Sequence, residues 1–259
     1  MLRQLLCRGE PRPRRLLWPQ MAVDFETFQP CEFFAHPVED CSFVRQKQVR
    51  QKEVLNQEKG KIMNKIAVTD YPIEHLLARR WSPRSFANRP IAGELIQSLF
   101  EAARWAPSAN NLQPWAFLYA VRGTKDFDHF LATLKPTNAI WAKEAAMLVL
   151  ASAISDRPDG SPNTHARYDL GQAVAHLTVQ ATAQDLYVHQ MAGFDAGLAR
   201  ATFGVPDDYD PVVMIAVGFL GDGAALSEET RIKETAARSR KPFGDCVFNN
   251  IWKGPGFDI

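Results

Sequence analysis

The sequence predicts an α+β fold in which helices surround one mixed sheet. Two apolar runs, residues 145–154 and 212–220, have the length and composition of buried strands. Elsewhere apolar residues recur at helical spacing, and the helices they predict are long while the strands are few. Strands alternate with helices and the 259 residues contain no internal repeat, so a layered α+β domain is the expected architecture.

The first predicted elements follow residue 72. Residues 73–77 form a predicted short helix that ends near a cluster of arginines. A second helix ends before Pro107. Its apolar stripe consists of Ile91, Leu95, Leu99, Ala102 and Ala103. Trp115–Val121 is a predicted strand, and residues 127–134 are a predicted short helix.

The middle of the chain predicts a buried strand and a long helix. Residues 142–146 end a helix, and residues 147–153 follow as the strand. The long helix covers residues 168–186 and is rich in alanine and poor in charge. Because a surface helix normally carries more charge, we expect this helix to be buried at a subunit interface.

The last third of the chain contains clear helix boundaries. Asp195 can cap a helix, and Gly204 can end it in the left-handed conformation. Residues 212–219 predict another strand. The tail from Ser227 is predicted to be mostly helix and then coil.

Residues 1–62 differ in composition from the rest of the chain. The first twenty residues contain five arginines, three prolines and one acidic residue, and residues 45–61 are a polar run. We expect residues 1–62 to be a poorly ordered extension outside the globular domain of residues 63–259. A transit peptide and an upstream reading of the gene before Met63 are the alternatives.

Charge and cysteine content limit the classes of partner and the location. With 30 basic and 29 acidic residues the net charge is +1, so neither nucleic acid nor a membrane surface is an expected partner. No apolar run approaches the roughly 20 residues that span a bilayer. The cysteines at positions 7, 31, 41 and 246 form no C-x-x-C pair. Reduced thiols and a cytoplasmic location are therefore expected.

Familiar catalytic signatures are absent from the sequence. It contains no G-x-S-x-G, no H-E-x-x-H, no P-loop and no G-x-G-x-x-G. The six histidines lack metal-ligand spacing, so no metal site is expected, while a triad assembled in space stays open. The polar residues that stand out are anion-binding and amide side chains, and none of them is marked as a nucleophile. That pattern is typical of a protein whose cofactor carries the reaction.

Two polar clusters flank the second predicted helix. Residues 79–86 contain three arginines and two serines, and residues 107–115 contain a serine, two asparagines and a glutamine. A guanidinium group donates two parallel hydrogen bonds to a phosphate and stays charged. The clusters therefore predict half of a site for a phosphorylated, planar ligand.

Four motifs resemble those of the nitroreductase-like FMN proteins. Arg80-x-Ser82-x-Arg84-x-Phe86 is similar to that family's R-x-S-x-(R/K)-x-F opening. Pro107-Ser108-Ala109-x-Asn111-x-Gln113-Pro114-Trp115 is similar to its P-S-(S/A)-x-N-x-Q-P-W segment. Met191-Ala192-Gly193-Phe194-Asp195 resembles its turn beside the flavin, and Arg238-Ser239-Arg240-Lys241-Pro242 resembles its C-terminal basic cluster. The motifs keep the family's order, and they imply its fold: a central mixed antiparallel sheet flanked by helices, in a homodimer with flavin sites at the interface.

The resemblance implies FMN as the cofactor. Trp81 belongs to the first motif and is included in the implied site. Arg84 would face the pyrimidine edge of the flavin, where a cation stabilises negative charge near N1 and raises the reduction potential. A surface salt bridge is the alternative for Arg84, and surface solvation is the alternative for the phosphate ligands. Those implied ligands are Arg80, Ser82, Arg238 and Arg240.

The resemblance also places groups beside the flavin ring. Asn138, matched through Asn138-x-x-Trp141, would contact the pyrimidine edge, and a turn after Pro136 is the alternative. Gly193 would let backbone N–H groups approach N5 and the C4 carbonyl, with a simple turn glycine as the alternative. Some relatives carry glutamate where this chain has alanine. The implied segment is Gln190, Met191, Ala192 and Gly193.

The resemblance implies that the second motif contacts the flavin bound by the neighbouring subunit. In the family this loop reaches the flavin of the other protomer, whereas local turn capping by Ser and Asn is the alternative. Shared flavin loops and an apolar long helix imply a homodimer. The implied loop residues are Pro107, Ser108, Ala109 and Asn111.

The resulting functional prediction is an FMN-dependent NAD(P)H oxidoreductase. NADH or NADPH would give a hydride to flavin N5 in a ping-pong reaction, and a nitroaromatic, a quinone or a similar small molecule would accept it. No protein side chain need act as acid or base, so no catalytic residue is assigned. The alternatives are another flavin-dependent dehydrogenase or dehalogenase on the same fold, and a flavin-binding protein without turnover. The choice between NADH and NADPH and the physiological acceptor stay open.

Overall fold

The computed structural model of the protein describes residues 65–256. The predicted extension, residues 1–62, and the proposed start at Met63 lie outside the described residues. Within the described range, no helix is both long enough and apolar enough to cross a membrane. The same range contains no group of three or more His, Cys, Asp or Glu side chains that could hold a metal ion.

One antiparallel sheet forms the centre of the described domain. Its strands are β1 (Trp115–Val121), β2 (Met147–Ile154), β3 (Tyr187–Met191) and β4 (Tyr209–Gly218), in the order β1-β2-β4-β3. Every described pair is antiparallel, which confirms the antiparallel part of the predicted sheet, and no parallel pair among the described strands makes it mixed. Strands β2 and β3 run in the same direction, but β4 lies between them and pairs with both. The alternation of strands and helices therefore does not produce a parallel pair.

Seven α-helices lie within residues 65–256. Their boundaries agree with the local signals of the sequence: the Asp195 side chain accepts from the N–H of Leu198, and Gly204 adopts φ +63° at the end of that helix. The helices are α1 (His75–Arg79), α2 (Gly93–Arg104), α3 (Lys125–Thr133), α4 (Pro136–Ala142), α5 (Ala166–Ala183), α6 (Ala196–Phe203) and α7 (Glu228–Thr235).

The position of helix α5 in the core explains why this helix is rich in alanine. With α2 it packs on one face of the sheet, and small residues let it approach the strands closely. Helices α3, α4 and α6 contribute to a second core on the other face. Tyr168 of α5 is 69% exposed, so part of this helix faces outward. Its predicted role at a subunit interface stays a prediction.

Strand β3 is the one described strand that the sequence does not predict. The helix predicted over residues 168–186 ends one residue before β3 begins, and β3 has only five residues. No Gly or Pro separates the two elements. Asp185 makes the turn with φ +56°, a conformation that aspartate tolerates better than most residues. The signal for this boundary is therefore weak.

The chain beyond β4 crosses the arginine segment at close range. Leu220 pairs with Phe86, and the N–H of Gly221 donates to the carbonyl of Ser85 at 3.0 Å. The Ser85 hydroxyl accepts from the N–H of Gly223 at 2.8 Å. This crossing fixes the backbone that carries the first motif and directs the following chain back towards it.

We expect Gly221→Ala to destabilise the fold. An added Cβ would lie 2.5 Å from the Ser85 hydroxyl and 2.8 Å from backbone atoms of Phe86. The backbones must then separate, which should lower the free energy of unfolding by about 1–3 kcal/mol. Gly93→Ala is the matched control, because no atom lies within 4 Å of its added Cβ. Chemical denaturation measures both, and equal stability of the two variants would contradict the close crossing.

Candidate functional site

Three arginines from the two ends of the described domain come together in space. The Arg80 guanidinium is half-buried and donates to the Ser82 hydroxyl at 3.3 Å. Burial lowers the pKa of Arg80, and the nearby charge of Arg240 lowers it further. Burial also lowers the pKa of Arg238, followed by the charges of Arg80 and Arg240. The Arg240 charge acts on both other arginines, so the three guanidinium groups lie within electrostatic range of one another.

The three arginines have no carboxylate partner among the described residues. Arg238 donates to the backbone carbonyls of Lys65 and Ala78 at 2.6 and 2.8 Å. Arg240 donates to the carbonyl of the preceding residue at 2.7 Å. None of the described salt bridges involves Arg80, Arg238 or Arg240. Concentrated positive charge with free N–H donors and a nearby hydroxyl can bind a phosphate.

Lys65 lies beside Arg238 and over the ring of Trp81. The Trp81 side chain is 6% exposed and packs edge-on against Tyr187 at a ring-centroid distance of 6.0 Å. Its indole N–H is buried and has no hydrogen-bond partner among the described residues. The ammonium of Lys65 lies 4.9 Å from the indole centroid, a distance typical of a cation–π contact. Lys65 is a fourth cation, which sequence reasoning missed because it lies outside the four motifs.

Glu234 binds the backbone of the arginine segment from inside the domain. Both of its carboxylate oxygens accept from the N–H of Arg84 at 3.0 Å, and one also accepts from the N–H of Ser85 at 3.2 Å. The residue is 5% exposed. Lys65 donates from its ammonium to the carbonyl oxygen of Glu234. Burial lowers the pKa of Lys65, and the Glu234 charge partly opposes this effect.

Sequence reasoning missed Glu234 for an identifiable reason. Helix α7 reads EETRIKET, and five of its eight residues are charged. Glu234 is the only buried residue of this helix. No apolar periodicity marks its inward face, so the sequence contains no signal that separates Glu234 from its exposed neighbours.

His189 supports the same segment from strand β3. Its Nδ1 lies 2.8 Å from the carbonyl oxygen of Pro83, so this ring nitrogen carries the proton and donates. The ring packs against Trp141 at a centroid distance of 4.5 Å. Burial lowers the pKa of His189 to about 4, and the charge of Arg84 acts in the same direction. His189 is therefore neutral at neutral pH.

Asn138 and Gly193, both predicted site residues, contact each other. The Asn138 amide donates to the carbonyl of Gly193 at 3.0 Å, and the backbone N–H of Lys135 donates to the same oxygen at 3.0 Å. An added Cβ at Gly193 would lie 2.5 Å from the Asn138 amide nitrogen. Only glycine therefore permits this approach. Asn138 lies in the first turn of α4, and its role at a flavin stays a prediction.

The segment before Gly193 offers mainly backbone groups. Met191 is 2% exposed and its side chain belongs to the second core. Gln190 and Ala192 are exposed. Gln190 and Met191 are the last residues of β3, so this part of the predicted turn is strand.

The structure does not bring the second motif near the arginine cluster of the same chain. The carbonyl of Pro114 accepts a hydrogen bond from the N–H of Ile154, the last residue of β2. Ile154 pairs with Tyr209 at the start of β4. Pro83 contacts His189, which pairs with Ala216 near the end of β4. The two positions are about 20–25 Å apart along that strand. Within one chain, residues 107–111 and the arginines therefore lie towards opposite ends of the sheet.

The loop formed by the second motif is held in a strained conformation. The N–H of Ala109 donates to the buried carboxylate of Asp169, and the N–H of Gln113 donates to the Ser108 hydroxyl, both at 3.0 Å. Asn111 and Gln113 have φ of +55° and +49°. Left-handed conformations at non-glycine residues cost free energy and often occur at ligand sites. Pro107 and Asn111 are exposed at the surface of this loop.

We expect His189 to make stability depend on pH. Its folded pKa is depressed from 6.5 to about 4, so in this window the unfolded chain binds a proton that the folded chain does not. Stability should therefore fall as the pH is lowered through this window, by up to about 1.4 kcal/mol per pH unit. Denaturation of the wild type, His189→Gln and the exposed control His176→Gln at several pH values tests this. Parallel pH profiles of the wild type and His189→Gln would contradict it.

Comparison with known proteins reveals the relatives of this chain. The model of the nitroreductase family matches residues 77–127 and 119–219, together more than half of the chain. A solved oxidoreductase containing FMN is 30% identical, with a TM-score of 0.70, over 75% of this chain and 100% of that chain. An uncharacterized 15.4 kDa protein in the ask 5′ region of Mycolicibacterium smegmatis is 35% identical over 128 residues, 48% of this chain and 84% of that protein.

A shorter match involves a named enzyme. The nitrobenzene nitroreductase of Ectopseudomonas oleovorans is 35% identical over 51 residues, which are 20% of this chain and 22% of that enzyme. The family match and the solved relative, by contrast, cover most of the sheet and its helices. The chain therefore belongs to the nitroreductase family.

Proposed function

We propose that this protein is an FMN-dependent oxidoreductase that transfers hydride from NADH or NADPH to a small acceptor such as a nitroaromatic or a quinone. The observation that carries the proposal is the cluster of Arg80, Arg238 and Arg240, which is partly buried and lacks a carboxylate partner. Family membership and the solved FMN-containing relative support the choice of cofactor. The partial match to a nitrobenzene nitroreductase supports the class of acceptor.

The residues of the cluster fit the phosphate end of FMN. Arg80, Arg238 and Arg240 supply charged donors, and Ser82 adds a hydroxyl next to Arg80. The indole N–H of Trp81, which has no hydrogen-bond partner among the described residues, is a further donor that we assign to this ligand. A doubly charged phosphate would relieve the mutual repulsion of the guanidinium groups. When bound, FMN supplies the redox chemistry by accepting a hydride and passing it on.

Other residues of the chain would orient the flavin and tune its potential. We assign Arg84 to the pyrimidine edge, where its charge raises the reduction potential. Asn138 keeps its carbonyl oxygen and a second N–H available for the same edge. The Gly193 carbonyl is already bound by Asn138 and Lys135, so we assign only its N–H to the ring. No acid or base is needed from His189, which is neutral and donates to Pro83.

We further propose a homodimer in which the loop of residues 107–111 completes the flavin site of the partner. Two observations support this arrangement: the loop lies towards the far end of the sheet from the arginines of its own chain, and its backbone is strained. A strained, exposed loop is expected where a ligand or partner is recognised. Membership of the nitroreductase family makes a homodimer the natural assembly.

The direct test is to purify the full chain, record its visible spectrum and titrate it anaerobically with NADH and with NADPH. The proposal predicts bound FMN that is bleached by at least one nicotinamide and regains its colour with a nitroaromatic or a quinone. Bound FMN that neither nicotinamide reduces would favour another flavin enzyme or a flavin-binding protein without turnover. A protein that takes up no flavin would contradict the proposal.

We expect Arg80→Ala to weaken binding of FMN but not of riboflavin, which lacks the phosphate. Loss of charge-assisted hydrogen bonds to a phosphate should raise the Kd for FMN by about 10–100-fold. Fluorescence titration of the apoprotein measures both ligands. Arg104→Ala is the control, because Arg104 is an exposed arginine that pairs with Glu101 on α2. An unchanged Kd for FMN in Arg80→Ala would place the phosphate elsewhere.

Mixing of subunits tests whether residues 107–111 act on the neighbouring site. Arg80→Ala and Asn111→Ala would each lower flavin retention alone. If the loop acts across the interface, co-refolding the two variants in equal amounts restores about a quarter of the sites, since one site of each heterodimer is intact. If the loop acts within its own chain, every site stays damaged. The absence of any recovery would contradict the shared site.

A further inference from the structure

We infer that Glu234 is a positioning residue, which sets the geometry of the arginines that bind the phosphate and of the one that faces the flavin ring. The inference rests on the proposed FMN function. It assigns to Glu234 no contact with the cofactor. Its effect on FMN would pass through the backbone of Arg84 and through the chain that leads to Arg238.

The hydrogen bonds of the Glu234 carboxylate are to backbone N–H groups and not to a charged side chain. Its carboxylate oxygens accept from the N–H groups of Arg84 and Ser85. No described salt bridge includes Glu234. A carboxylate that binds two successive N–H groups fixes the orientation of the peptide planes from which the Arg84 side chain departs. The arginine side chains themselves stay available for an anion.

The same residue lies four positions before Arg238. Helix α7 ends at Thr235, and Arg238 then donates to the carbonyl of Ala78, next to the first motif. Lys65 links both places, because its ammonium donates to the Glu234 carbonyl and its own carbonyl accepts from Arg238. The position of Glu234 therefore determines how the C-terminal arginines meet the N-terminal ones.

Within the arginine segment, the N–H groups of Arg84 and Ser85 depend on the Glu234 carboxylate, while other residues hold the two ends of the segment. On one side, the Ser85 carbonyl and hydroxyl are held by Gly221 and Gly223. On the other side, the Pro83 carbonyl accepts from His189. The N–H groups of Arg84 and Ser85 between these anchors bind only Glu234 among the described contacts. Removing that carboxylate should release the centre of the segment while its ends stay attached.

The test compares Glu234→Ala, Glu234→Gln and the control Glu229→Gln in the full chain. Glu229 is exposed on the same helix and pairs with Lys233. The measured quantity is the ratio of the Kd for riboflavin to the Kd for FMN in the apoprotein. Circular dichroism and melting temperature establish that each variant is folded, and the midpoint potential of the bound flavin reports on Arg84.

We expect the ratio to fall about tenfold in Glu234→Ala, because the arginines no longer converge on the phosphate. Glu234→Gln keeps one acceptor oxygen and should have a smaller effect in the same direction. The midpoint potential should also fall, because the Arg84 side chain is no longer held in one place. Glu229→Gln should match the wild type in both measurements.

A lower melting temperature with an unchanged ratio in both Glu234 variants would overturn the inference, since it would reduce Glu234 to a structural residue. If Glu234→Ala does not fold, Glu234→Gln alone decides by the same criterion. Failure of the proposed function would look different. The wild type and Glu229→Gln would then also bind FMN no more tightly than riboflavin.

Discussion

The crossing of the chain after β4 over the arginine segment is the constraint on which the rest of the site depends. Gly221 brings two backbones to within hydrogen-bonding distance at Ser85, closer than any side chain with a Cβ would permit. The following helix then returns Glu234 to the same segment. Residues far apart in the sequence are joined in this way, and the C-terminal arginines reach those of the first motif.

This arrangement concentrates positive charge that the protein itself does not neutralise. Burial lowers the pKa of Lys65, Arg80 and Arg238, and neighbouring arginine charges lower it further for each of the three. The buried Glu234 carboxylate directs its oxygens to backbone N–H groups. Bringing like charges together costs free energy, and an anion that binds among them recovers it. This unneutralised charge is the basis on which we propose a phosphate site here.

Local sequence signals predicted many of the helices and strands, whereas the pairing of strands that are distant in the sequence was harder to predict. The cap at Asp195 and the glycine at Gly204 define α6 because each acts through its immediate neighbours. Strand β3 was missed because it is short and follows α5 without a Gly or Pro. The described sheet is antiparallel and not mixed because β4 lies between β2 and β3, an arrangement that periodicity cannot reveal. Among the candidate site residues, those inside the four motifs could be identified from the sequence. Lys65 and Glu234 could not, because they belong to no motif and their side chains bind backbone groups.

The most direct test of the account is a crystal structure of the full chain grown with FMN. The account predicts the phosphate within hydrogen-bonding distance of Arg80, Arg238 or Arg240, the ring near Gly193 and Asn138, and residues 107–111 of a second subunit against that ring. A flavin phosphate bound elsewhere on the protein, with the three arginines unchanged and solvated, would contradict it.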